Sequence, residues 1–182
     1  MINLKKKSIY KLSFILLPFI LAIPFHFLYE YIPFPLFATY LPVNESVFEH
    51  TKLTFTPIII TFIIFSILRR KNINTERALS SLIISISVSL VTMLTTYYIY
   101  HIFTDKDLTL INILSLLIST SLGQLLSIYT YKKGIKWSKE ISIYSLLTMT
   151  VIFLIFTVNP PLLPFFYDKM SGVYGINNQF TK

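Results

Sequence analysis

Residues 53–71 read LTFTPIIITFIIFSILRRK, a run without one charge that ends on three consecutive bases. A helix half-exposed to water would carry polar residues along one face, and this stretch keeps none beyond a few hydroxyls. Extended back to residue 47, it holds enough residues, at about 1.5 Å of rise each, to cross a hydrocarbon core about 30 Å thick. The terminal Arg69, Arg70 and Lys71 then sit where headgroups and water begin. This is the pattern of a membrane-spanning helix, and the rest of the chain repeats it.

Five such spans fit, at about 11–30, 47–68, 79–100, 108–131 and 141–158, joined by the linkers RRKNINTERA, HIFTDKD and KKGIKWSKE. The chain has 182 residues, 54% hydrophobic and 13% charged, which fits one integral membrane domain and excludes an ordinary soluble domain or a disordered chain. The expected fold is an all-α polytopic bundle. The start, MINLKKKSIYKLSFILLPFILAIPF, imitates a signal peptide, but no small-x-small cleavage site follows, so an uncleaved first span is expected.

Basic residues set the orientation. Lys5, Lys6, Lys7, Lys11, Arg69, Arg70, Lys71, Arg77, Lys132, Lys133, Lys136 and Lys139, twelve of the sixteen, fall on one side. By the positive-inside rule the amino terminus is cytoplasmic, the carboxyl terminus outside, and the protein a multi-pass protein of the plasma membrane. This asymmetry and attraction to anionic lipid account for the net charge of +8, so nucleic acid is not needed as a partner. The bilayer is the expected partner, and the sequence sets no oligomeric state. No cysteine is present, which removes disulfides, thiolate metal sites and thiol catalysis.

The same ledger places His26, His50 and His101 at or near the outer face, with Glu30, Glu45, Glu49, Asp105, Asp107 and Asp168. No ionisable residue is expected near the centre of any span, which disfavours a proton-coupled transporter. Asn112 and Gln124 remain as neutral polar groups there. Ser81, Ser85 and Ser89 on span three, and Ser115, Ser119, Gly123 and Ser127 on span four, recur at fourfold spacing. Such rows let helix backbones approach closely, and a packing seam is expected rather than a polar pathway.

His26 and Glu30, four apart, share a helix face and could act as two metal ligands, as a base with its orienting carboxylate, or as an interfacial pair. In PVNESVFEHTK, residues 42–52, Ser46 and Glu49 match a capping box that opens span two. Glu49 and Lys52 are spaced to pair, while Asn44, Glu45, His50 and Lys52 are unexplained by capping. His101 and Asp105, also four apart, have a solvated turn as the alternative reading. Two apolar, proline-stiffened segments, 31–43 and NPPLLPFFYDKM, could roof these groups or anchor in the interface.

Two elements, H-F-x-Y-E at 26–30 and V-N-E-S-V-F-E-H-x-K at 43–52, resemble those of a family of small bacterial integral membrane proteins of unknown function. The resemblance covers about residues 24–58 and implies importance for His26, Glu30, Asn44, Glu45, Ser46, Glu49, His50 and Lys52. It implies no activity.

The leading expectation is a metal-dependent hydrolase or transferase acting at the outer leaflet on a lipid, lipid-linked or exported substrate. His26, Glu30, His50 and His101 would hold a divalent metal such as zinc, Glu45 or Glu49 would serve as acid/base, and Asn44 and Lys52 would assist. No HExxH accompanies them, so the case rests on shared location. The alternatives are a non-catalytic envelope protein binding a partner, ion or lipid headgroup, and then a small transporter.

Overall fold

The computed structural model describes residues 2–68, 73–104 and 106–176, with side chains from Ser8 onward. Asp105, Arg69, Arg70, Lys71 and Lys182 lie outside the described residues, as do the side chains of Lys5, Lys6 and Lys7. Five long helices follow one another: α1 (Ile2–Tyr31), α2 (Val47–Leu68), α3 (Thr75–His101), α4 (Thr109–Lys133) and α5 (Lys139–Val158). All five are long and apolar enough to cross a membrane. α3 and α4 outrun the expected spans with polar residues, Thr75, Glu76 and Arg77 at the start of α3 and Lys132 and Lys133 at the end of α4, while α1 starts nine residues early.

Helix ends are set by local chemistry. Asn74 caps α3 by accepting from Arg77 N at 3.0 Å, and Ser138 caps α5 by accepting from Ile141 N at 3.3 Å. Gly134 ends α4 in the left-handed region, φ 75°, where a side chain would be strained.

The tightest pairing is between α3 and α4. Ser81, Ser85 and Ser89 on one helix and Ser115, Ser119 and Ser127 on the other are all buried. Ser85 donates to the Gln124 side chain at 3.1 Å, and Ser89 to the Ser119 carbonyl at 3.0 Å. A methyl group at Gly123 would stand 2.1 Å from Ser89 Oγ and 2.5 Å from the Ser85 carbonyl oxygen. The rows are therefore a helix-packing seam, and Gln124 is one of its bonds. Asn112 accepts from Tyr100 at 2.8 Å near one helix end instead.

α1 packs chiefly on α2 and α4, and α5 on α3. One apolar core gathers Phe48, Phe55 and Ile58 of α2, Leu82 and Ile86 of α3, Phe153 of α5 and Phe166. Two non-helical segments close the end of the bundle where α1 finishes and α2 begins. The first holds a 3-10 turn, Pro35–Thr39; the second holds another, Pro164–Phe166, and a short antiparallel hairpin, Tyr167–Asp168 with Val173–Tyr174.

Each of these segments divides into an exposed and a packed half. Ile32, Phe34 and Leu36 are exposed, whereas Ala38, Thr39, Leu41 and Pro42 are buried. Likewise Leu162 and Leu163 are exposed while Phe166 enters the core.

Candidate metal centre

The site is built on the entry to α2. Asn44 Oδ1 accepts from Ser46 N at 2.9 Å, a tight local turn, while its amide donates to the Gly175 carbonyl at 2.8 Å. Ser46 Oγ accepts from Glu49 N at 3.3 Å and so caps α2. Between these, Glu45 N donates to Asp168 Oδ2 at 3.3 Å, so the carboxyl-terminal segment holds the loop at Asn44 and at Glu45 itself. Asp168 also accepts from Met170 N and from the Ser171 hydroxyl. Burial alone would raise the Asp168 carboxyl, but the Ser171 hydroxyl and the surrounding amides hold it below its usual range.

Held this way, Glu45 meets the two histidines. His26 Nε2 and His50 Nε2 are 3.1 Å apart, and Glu45 Oε2 lies 3.3 Å from His50 Nε2 and 3.6 Å from His26 Nε2. A tetrahedral zinc ion with ligand bonds of about 2.0–2.2 Å sets its ligand atoms about 3.3–3.6 Å apart. The triangle is within a few tenths of an ångström of that. Each His side chain is 25% exposed and Glu45 37%, which leaves one side of the triangle open to a fourth ligand.

His50 is oriented for the same task. Its Nδ1 lies 2.9 Å from the Ser46 carbonyl, which can only accept, so Nδ1 carries a hydrogen. With the hydrogen on Nδ1, the Nε2 edge faces His26 and Glu45, as second partners commonly fix a metal-binding imidazole. Three electron-rich atoms converge, an arrangement that a proton or a metal ion between them would stabilise. The Glu45 carboxyl is held below the usual range, first by its bond with His50 and then by the two ring charges, against burial and Asp168.

The remaining expected site residues fall elsewhere. Glu30 is exposed one turn beyond His26 and is not in the triangle. His101 is not in it either: its ring stacks on Tyr97 and Tyr100, with Nδ1 3.0 Å from the Tyr97 carbonyl and Nε2 3.2 Å from Asp107. The reason is topological, since His101 ends α3 and α1 packs chiefly on α2 and α4. Glu45, expected as acid/base, is the carboxylate that lies in the triangle.

Glu49 departs furthest from expectation. It does not return a bond to Ser46 N, so only half of the capping box forms. Its carboxylate is 1% exposed, pairs with Lys52 Nζ, accepts from Val43 N at 2.9 Å and receives the Thr157 hydroxyl at 3.1 Å. Lys52, fully buried, donates also to the Ala38 carbonyl and Thr157 Oγ1, each at 2.6 Å. This closed, buried node leaves Glu49 out of a substrate's reach and Lys52 no role at a surface. Thr157 and Gly175 were not legible as contributors: an uncharged threonine and a glycine carry no local signal of a contact more than a hundred residues away.

No curated protein and no solved structure matches the chain. A family model does, over residues 1–176, nearly the entire length. The chain therefore belongs to that family, described as a family of unknown function, DUF6512.

Proposed function

We propose that His26, Glu45 and His50 bind one divalent metal ion of the zinc type, and that the protein is a membrane-embedded metal-dependent hydrolase or transferase. The observation that carries this reading is the triangle of separations, 3.1, 3.3 and 3.6 Å, among three ligand atoms from α1, the loop and α2. Two imidazoles, one carboxylate and an accessible fourth side form the ligand pattern of catalytic rather than structural zinc. A metal bound there supplies Lewis acidity and an acidified water.

The protein's own groups complete the reading. Glu30, one turn along α1 and exposed, is the carboxylate placed to take or return a proton beside the centre. Two neutral rings and one carboxylate leave a bound dication with excess positive charge, which suits an anionic substrate oxygen. Ile32, Phe34 and Leu36 expose an apolar edge at this end of the bundle, which suits a lipid or lipid-linked ester or phosphoester. With the amino terminus cytoplasmic, the reaction takes place at the outer leaflet of the plasma membrane.

The test is elemental analysis of protein purified without chelator and without a histidine tag. One transition metal per chain is expected, falling at least tenfold in His26→Ala, His50→Ala and Glu45→Gln. Glu30→Gln should keep the metal and lose hydrolysis of lipid esters in proteoliposomes. Wild-type protein without metal, even after zinc loading, sinks the metal centre; a metal retained with no turnover leaves an ion-binding envelope protein.

A further inference from the structure

The opposite end of the bundle holds a separate feature. Between residues 8–14 of α1, the start of α3 and the last turns of α2 and α4 lies a cavity of about 980 Å³. Much of its wall is apolar, with Phe14, Phe62, Phe65 and Ile128, and the Phe14 and Phe65 rings meet edge to face at 5.0 Å. Two exposed lysines, Lys11 and Lys132, line it from α1 and α4.

Three of the described bases at this end are already engaged. Lys136 pairs with Glu76 at 2.9 Å, Lys133 lies over the Tyr129 ring, and the Arg77 guanidinium packs against Gly134. Lys11 and Lys132 make no ion pair among the described residues. A cavity of this size and lining matches a small-molecule site, and basic pockets between membrane helices attract anionic headgroups. A soluble anion would satisfy the lysines but leave the aromatic wall against water. An acyl chain alone would cover the wall and leave the lysines without a counter-charge. Only an amphiphile answers both.

We propose that this cavity binds an anionic phospholipid, with an acyl chain against Phe14, Phe62 and Phe65 and the phosphate between Lys11 and Lys132. The proposal is independent of the metal centre, which stands at the other helix ends. It is tested by thermal unfolding of the full chain in a neutral detergent, with added phosphatidylglycerol or phosphatidylcholine. Phosphatidylglycerol should raise Tm by several degrees and saturate, with at most half that rise for phosphatidylcholine at equal mole fraction. The double variant Lys11→Gln/Lys132→Gln alters only exposed side chains; it should keep the lipid-free Tm and respond equally to both lipids. Ser66→Trp, which fills the cavity from α2, should shrink both responses. Equal responses in the wild type, a full phosphatidylglycerol response in the double variant, or the same rise with inorganic phosphate alone would each overturn the proposal.

Discussion

Lys52 shows how much one spacing can decide. A lysine three residues after Glu49 has two possible places for its ammonium, water or the carboxylate, and here the helix turns both inward. Each is fully enclosed, so each depends on the other. Lys52→Met strands a buried carboxylate and should cost about 3–5 kcal/mol, whereas Glu49→Gln/Lys52→Met should recover much of the loss. Unfolding in detergent followed by circular dichroism measures both; a single variant as mild as the double would contradict the node. Asp168 makes an acid-side prediction. Its folded pKa is depressed, so its contribution is complete above the ordinary value of about 3.9 and is lost as pH falls through the lower folded value. Hydrogen exchange at residues 168–176 should quicken in that window for the wild type, and Asp168→Asn should be fast at every pH. At this scale the sequence was only partly legible. The types and the i, i+3 pairing of Glu49 and Lys52 could be read locally, but the choice between cap and buried pair depended on Thr157 and Val43, which no local pattern links to them.

Among the elements, α3 and α4 are joined by hydroxyls and one glycine. Gly123→Ala puts a methyl group onto Ser89 Oγ and the Ser85 carbonyl, and overpacking of this kind costs about 1–3 kcal/mol. Adding Ser89→Ala should restore only part of that, because the Ser85 carbonyl belongs to the backbone and stays in place. Full restoration would mean that side-chain crowding alone sets the seam. Helices were the legible part of this protein. Their apolar runs are bounded by charges and caps, so the expected span 47–68 coincides with α2, while α3, α4 and α5 differ by short end turns and α1 starts nine residues early. The fourfold rows showed which faces of α3 and α4 would meet. The hairpin was not anticipated, although Asp168, Ser171 and Gly172 between aromatic residues are a turn signal. Its register matters because it grips the loop that presents Glu45.

For the whole molecule, five helices in alternating direction put His26, His50 and His101 at one end and Lys11 and Lys132 at the other. Reporter fusions after residues 73, 104 and 136 should read inside, outside and inside; any other order would detach the metal centre from the outer leaflet. That the histidines share one end followed from charge counting, because bases mark helix ends whatever lies between them. That only two of the three share a centre did not follow, since a linear ledger gives depth in the bilayer and not position around the bundle. Of the expected ligands, His26 and His50 meet through the contact of α1 with α2, and Glu45 rather than Glu30 lies beside them, its loop bonded to Asp168.

The Glu49–Lys52–Thr157 node also bears on the order of synthesis. Lys52 and Glu49 emerge from the ribosome with the second helix, whereas Thr157 belongs to the last, 105 residues after Lys52. Until α5 arrives, a nascent chain holds an ion pair near the end of α2 with one of its polar partners missing. Insertion thus begins with a gap that α5 fills, and the arrival of the fifth helix is recorded inside the second.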